Sequence, residues 1–580
     1  MSMVMSVAMC WRRRPGIRHI AITMPAAAVV ALSLSSTGPA HADTAPPVGT
    51  PATVSADPLP TWQVNGVVWS AVTVGNTVYA TGSFTKARPP GTSQGSAQEV
   101  SRENLLAFDI TTGTLLPFNH SLNAQGRRIV AAPDGSRIYV GGDFTSVDGV
   151  TRSHVAAFDT ATGQLDSSFA PSISNTVRAI AVSSSTVYLG GNFFRAGTST
   201  RSRLAAVSRS DGAVLPWAPA TDDEVHALAL SPDQSRVIAG GRFQTLNGEE
   251  HVGIGALDPA SGTSLPWASR PIPTKADDTH FSYVTDLVVN GTTLYGAADG
   301  EGGHWFDGRF AANVNTGDLV WLDNCYGATY GLHVAGSVLY SVSHAHDCSS
   351  LGAFPQNATA WHRALAETTY ATGNDPAPPG EGSHYAAQPI PTLLHWFPSL
   401  SPGTYTGQAQ AAWAVTGTNQ YLAVLGEFPR VNGAPQQGMT RFALRASAPN
   451  KVGPLNLDSL IPMVTSSTRG IARVSWESTW DYDNAQLTYE VLRDGSSQPV
   501  FTVTRRNNFW TVPTLVFFDT GLSPGSYHSY RIKVTDPVGN TVTSASSPSV
   551  QIRTTRSIIP PPTRLEPTPR TIPGSVTSTP

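Results

Sequence analysis

The chain has 580 residues, 13% of them charged, and a formal charge of −3. That near-neutral balance gives no electrostatic basis for a nucleic-acid or anionic-membrane partner. With 52 glycines and 45 prolines and scarcely any helical periodicity, the composition excludes a helical protein and suits short strands joined by many turns.

Residues 1–42 read as a signal peptide. Arg12, Arg13, Arg14 and Arg18 precede an apolar run from Ile20 to Leu34, and Ala40-His41-Ala42 is a small-x-small cleavage site. The run is too short for a membrane span and no stop-transfer pattern follows it, so the protein is expected outside the cell, with no membrane span in its mature form. Residues 43–56 are expected to be a flexible N-terminal segment. Cys10 leaves with the signal; Cys325 and Cys348 remain. An even pair in an oxidising compartment predicts a disulfide, contributing about 3 kcal/mol.

A repeated phrase organises residues 57–446. It reads Tyr79-Ala-Thr-Gly-Ser-Phe84, Tyr139-Val-Gly-Gly-Asp-Phe144, Tyr188-Leu-Gly-Gly-Asn-Phe193 and Ile238-Ala-Gly-Gly-Arg-Phe243, with echoes beginning at Tyr295, Tyr340 and Ala423. A period of roughly 40–55 residues with β-type residues in each unit signals stacked or radial repeats. The fourth unit serves as template: apolar strands begin at Val225 and Arg236, a third runs from Gly253 to Asp258, and Ser264 to Ala268 forms a fourth. Four short antiparallel strands per unit make a propeller blade. Asp109, Asp159 and Asp258 enter turns that close on Gly113, Gly163 and Gly262, and turn chemistry accounts for them better than catalysis. Outer-strand aromatics such as Phe118, Trp217, Trp267, Trp321 and Trp396 are expected to fill wedges between units. The seventh unit lacks a fourth strand, and the missing phrase stands at Leu59-Pro60-Thr61-Trp62. We therefore expect a seven-bladed β-propeller over 57–446, closed by its own N-terminal segment. These phrases, best developed in units two to four, resemble an uncharacterised family of secreted actinobacterial β-propeller proteins with delta-60-like repeats. The resemblance covers roughly residues 60–445 and implies a propeller and export, with no activity or catalytic residues attached.

After Pro449 to Pro454, read as a short hinge, residues 454–554 alternate like the strands of a sandwich. Trp476, Tyr489, Arg493-Asp494-Gly495 and Leu522-Ser-Pro-Gly-Ser526 leading to Tyr530 resemble a fibronectin type III module, which implies a spacer or adhesive role. His528 stands where that family places its corner tyrosine. Residues 555–580 form a Pro-, Thr- and Ser-rich tail expected to be disordered.

Two candidate sites arise in the repeat region. The residue four beyond each leading position is Ser83, Asp143, Asn192, Arg242, Asp299, His344 and Glu427: one polar residue per unit, able to ring a polyhydroxylated ligand or to bond its own loop backbone. Loop bonding is the preferred account. Beside Cys348, His344 and His346 share one side of an extended strand, and with Asp347 and His304 they supply ligand types for a divalent metal. The spacing lacks a stringent zinc signature, and no cofactor is expected. No nucleophile elbow, phosphate loop or HExxH occurs. The sequence thus favours a monomeric secreted binding protein that recognises a cell-surface, carbohydrate or protein ligand through one propeller face. The alternative is an extracellular hydrolase or lyase using the histidines and carboxylates of units five and six.

Overall fold

The computed structural model describes residues 42–268, 282–300, 306–356, 361–376 and 385–555. Among them the chain is almost entirely β, the helical exceptions being single turns at Ser349–Leu351 and Asp458–Leu460. Besides smaller sheets such as that of Gln63–Val64, Lys86–Arg88 and Val100–Ser101, seven antiparallel sheets of three or four strands built on the repeat phrase follow one another among the described residues. Their first strands are Val67–Val74, Gly126–Ala131, Val177–Val182, Val225–Leu230, Ser282–Asn290, Thr329–Ala335 and Ala412–Gly417. Each first strand lies beside the next, and the seventh lies beside the first, so the series returns to its start.

The repeat phrase explains how sheets approach so closely. Second strands such as Arg137–Gly142 are buried on both faces, with Ile138, Tyr139 and Val140 wholly enclosed; hence their continuous apolar runs rather than polar–apolar alternation. The paired glycines meet two different neighbours. A Cβ on Gly141, Gly190 or Gly240 would collide with Val177, Val225 or Val284 of the following sheet at 2.5–2.7 Å. One on Gly142, Gly191 or Gly241 would strike a backbone oxygen at the start of its own sheet's first strand. Between every two neighbouring sheets sits an apolar cluster. There the tyrosines of the phrase meet the outer aromatics edge-on, as in Tyr79–Phe118, Tyr188–Trp217 and Tyr340–Trp396, with centroids 5.1–5.3 Å apart. The outer aromatics therefore fill wedges. Asp109, Asp159 and Asp258 each accept turn N–H groups at 2.7–3.0 Å, which is turn chemistry.

Among the described residues, only the fourth and fifth sheets carry a regular fourth strand, Ser264–Leu265 and Leu319–Asp323. In four others a single bridge marks the position, from Leu115, Leu165, Val214 and Leu393. In the seventh sheet the N-terminal segment fills it: Leu59 and Ser55 donate N–H groups to Arg441 O and Ala443 O, both at 2.8 Å. The pairing starts upstream of the phrase around Trp62, which instead packs with Met439 between the seventh and first sheets. Arg441 reinforces the seam by donating to Pro60 O, Thr61 Oγ1 and Ile110 O.

A second pair of sheets follows: Met463–Thr465, Ile471–Glu477 and Thr514–Thr520 in one, and Pro499–Arg506, Gln486–Arg493, Tyr530–Thr535 and Thr541–Thr543 in the other. They share one core around Trp476, Tyr489 and Tyr530. His528 bonds Asp494 at 2.6 Å, while the phenol of Tyr530 donates to Asp519.

Two expectations are corrected. Within the 43–56 segment read as flexible, residues 53–56 are buried, because they lie between the two β regions. Asp483 accepts from Ser55 Oγ and Ala56 N, and Asp57 accepts from Lys451 N and Val452 N. The Pro449 to Pro454 stretch is consequently strapped down rather than a free hinge. Phe509 and Trp510 reinforce this by packing on His362, Phe354 and Phe397.

Candidate functional site

Each of the seven first strands slips register once, at the same place. The slips fall between Val68 and Ser70, Gly126 and Arg128, Val177 and Ala179, Val225 and Ala227, Val284 and Asp286, Thr329 and Gly331, and Ala412 and Ala414. A β-bulge inserts one extra residue and re-aims its side chain. The bulged residues are Trp69, Arg127, Arg178, His226, Thr285, Tyr330 and Trp413, and all seven line one cavity of about 290 Å³. Below it a second space of about 470 Å³ runs between the first strands. Arg128 lines both, and its ion pair with Asp286, at 2.8 Å, reaches from the second sheet to the fifth.

The cup has two dissimilar sides. On one, Trp69 and Trp413 meet at 4.9 Å and Tyr330 adjoins Trp413 at 4.4 Å. Their polar tips are tied back: Trp69 Nε1 donates to Gln125 and Trp413 Nε1 to Glu427, which also accepts from Thr406 N and Oγ1. On the other, Arg127 pairs with Asp143 and lies over Trp69, and Arg178 and His226 both contact Glu224. Arg242 lies 4.4 Å over the ring of Tyr283, whose hydroxyl donates to Asp299. The hydrogen bond from His226 holds Glu224 down at about 2, against burial and with help from Arg178. Burial pushes His226 itself down, so a neutral imidazole donates Nε2–H to that carboxylate. Asp143 lies below the ordinary range: burial opposes the shift, but the Thr176 hydroxyl, Arg127 and Gln125 outweigh it. Burial, then the carboxylate of Asp299, raises Tyr283; burial likewise raises Tyr330. Both phenols therefore stay protonated.

Of the ring proposed from the second strands, Asp299 lines this same cavity. Asp143, Arg242, Asp299 and Glu427 each contact a side chain from the opening of a first strand. His344 lies 6.2 Å from Tyr330. Ser83 reaches Tyr405 at the rim, and Asn192 donates its N–H to Thr176 O. Sequence reasoning missed the bulged residues, because a strand read with period two has no place for an extra residue. The available signal was an aromatic, basic or imidazole side chain recurring beside small apolar residues, as in Val225-His226-Ala227 and Val177-Arg178-Ala179.

The other cluster is arranged differently from its sequence reading. His344 and His346 do stack, 6.4 Å apart, beside Trp361. However, His346 Nδ1 bonds Gln356, and Asp347 accepts the N–H of Ser349 in its own turn. His304 lies outside the described residues. Among the described residues no three metal-binding side chains come together. Cys325 and Cys348 form the expected disulfide, wholly buried. It lies under Phe354, Phe397, Phe509 and Trp510, where the second β region packs.

A family model described as a domain of unknown function, DUF5122 β-propeller, matches residues 132–169. That stretch runs from the turn before Arg137–Gly142 through Val155–Asp159 to the buried Phe169, one repeat of the series. The chain thus contains β-propeller repeats. No curated protein matches it. No helix among the described residues is long and apolar enough to cross a membrane.

Proposed function

We propose that this is a secreted binding protein: a seven-bladed propeller with a fibronectin type III-like module, holding its ligand in the axial cup. The observation that carries this is the convergence of seven bulged side chains, one from each sheet, on a single cavity. A bulge interrupts the ladder, and its repetition at one level is what a recognition surface built from equivalent units needs. Export is supported by the signal-like residues 1–42 and suits the buried disulfide. The ligand is a cell-surface, carbohydrate or protein partner, and the docked sandwich presents the cup in a fixed orientation to it. The test is capture from polysaccharide and cell-surface fractions by the purified protein and by a Trp69→Ala/Trp413→Ala variant with an unchanged far-UV spectrum. Capture lost only by the variant supports the cup. Capture equal in both would overturn it.

A further inference from the structure

We infer that the cup is built for an uncharged sugar ring, the terminal residue of a neutral polysaccharide, an assignment that rests on the binding reading above. Three features of the cavity point there.

The first is the aromatic side. Trp69, Trp413 and Tyr330 form one continuous wall, and the indole N–H groups are already bonded inward. Arg127 lies over Trp69, so the ring surface offered to a ligand is mainly that of Trp413 and Tyr330, held in place before any ligand arrives, and binding orders little that was loose. The C–H face of a pyranose matches such a surface.

The second is charge pairing among the described residues. The guanidinium of Arg127 is matched by Asp143, that of Arg178 by Glu224, and that of Arg128 by Asp286. Tyr283 lies under Arg242 and donates to Asp299. An anion entering here would confront these carboxylates, and a cation would confront the guanidinium groups; either must compete with a partner the protein already supplies. A sugar hydroxyl avoids that competition. It accepts from a guanidinium and donates to the adjacent carboxylate, leaving every ion pair in place.

The third is size and closure. At about 290 Å³ the cup sits at the small end of ligand pockets, roughly 300–1,000 Å³, which suits one or two rings. The ion pair of Arg128 with Asp286 spans the axis beneath it. A polysaccharide therefore enters by its end and does not thread through.

The test measures binding of the purified protein to neutral hexose and N-acetylhexosamine oligosaccharides and to their uronic-acid and sulfated counterparts, by calorimetry and on a printed array. The expected result is binding of at least one neutral series, with dissociation constants changing less than about twofold between 50 and 500 mM salt, since no net charge is neutralised. Trp413→Ala should weaken it more than about tenfold. Because Trp413 also packs against its neighbours, Glu224→Gln is the second variant. It leaves Arg178 without its carboxylate and should raise affinity for the uronic-acid series at least about threefold relative to the neutral one.

Tighter binding of the anionic series by the unmodified protein, weakened by salt, would overturn the neutral assignment while keeping the cup. Failure of every saccharide to bind, while a protein ligand is captured and then lost in the tryptophan variant, would overturn the sugar assignment and leave the binding reading standing. Capture insensitive to every cup substitution would overturn both.

Discussion

Replacing Arg441 with alanine should open the seam between the N-terminal segment and the seventh sheet. Arg441 is 2% exposed, and its guanidinium donates to Thr61 Oγ1 at 3.2 Å, to Pro60 O at 2.7 Å and to Ile110 O. Two of these acceptors belong to the entering segment and one to the first sheet, so a single side chain ties three parts of the chain together. A hydrogen bond from a charged donor contributes about 1.5–3 kcal/mol, and a buried carbonyl stripped of its donor costs about 1–3 kcal/mol. Burial opposes the charge, pulling the guanidinium pKa down to about 10, and that cost is recovered when the side chain is removed. The net loss should be about 3–5 kcal/mol, the range for removing one side of a buried charged interaction. Arg441→Lys keeps the charge but not the fork, and should lose roughly half as much. Urea unfolding followed by tryptophan fluorescence reads the loss, and limited proteolysis should show cleavage within 43–64 accelerating in parallel. A loss under about 1 kcal/mol, or proteolysis unchanged in that segment, would refute the reasoning that Arg441 holds the closure.

Gly190→Ala places a Cβ 2.6 Å from Val225 of the neighbouring sheet and should destabilise by about 1–3 kcal/mol; Gly373→Ala, which meets nothing within 4 Å, should be nearly silent in the same melts. Cys325→Ser/Cys348→Ser should cost about 3 kcal/mol and loosen the packing of Trp510, visible in near-UV dichroism; an unchanged spectrum and stability would count against the buried staple. Burial lowers His333, His344 and His362 to about 4 from 6.5. Between those values the unfolded chain binds protons that the native protein does not, so stability is full above pH 6.5 and falls toward pH 4. The loss by pH 5 should be on the order of 1 kcal/mol for each imidazole, and a flat stability profile from pH 7 to 5 would contradict their burial.

The repeat architecture was legible because it is written in local chemistry. Paired glycines, Asx turns at Asp109, Asp159 and Asp258, and apolar runs buried on both faces recur with each unit, so a single sequence discloses the succession of sheets. The deficit in the seventh unit pointed to the phrase at Leu59 to Trp62; Leu59 does bridge to Arg441, but the pairing begins further upstream, at Ser55. The outer aromatics were legible for the same reason: an aromatic at a fixed offset from a strand has few places to go but the neighbouring wedge.

The site was legible only in part. Its second ring, including Asp143, Asp299 and Glu427, follows from counting along the repeat phrase. The side chains that form the cup do not, because pairing of successive strands implies strict alternation, and alternation puts Trp69, Arg127 and Trp413 in no special place. What turns them inward is a slip of one residue in each first strand, which depends on how that strand pairs with its neighbour. Arg128 and Asp286, 158 residues apart, likewise meet only in the folded chain. Sequence alone determined the kind of unit and its repetition, since those depend on neighbours a few residues away. Tertiary structure decided which side chains share the cup and how the second β region is strapped down, since both depend on where distant segments come to rest against each other.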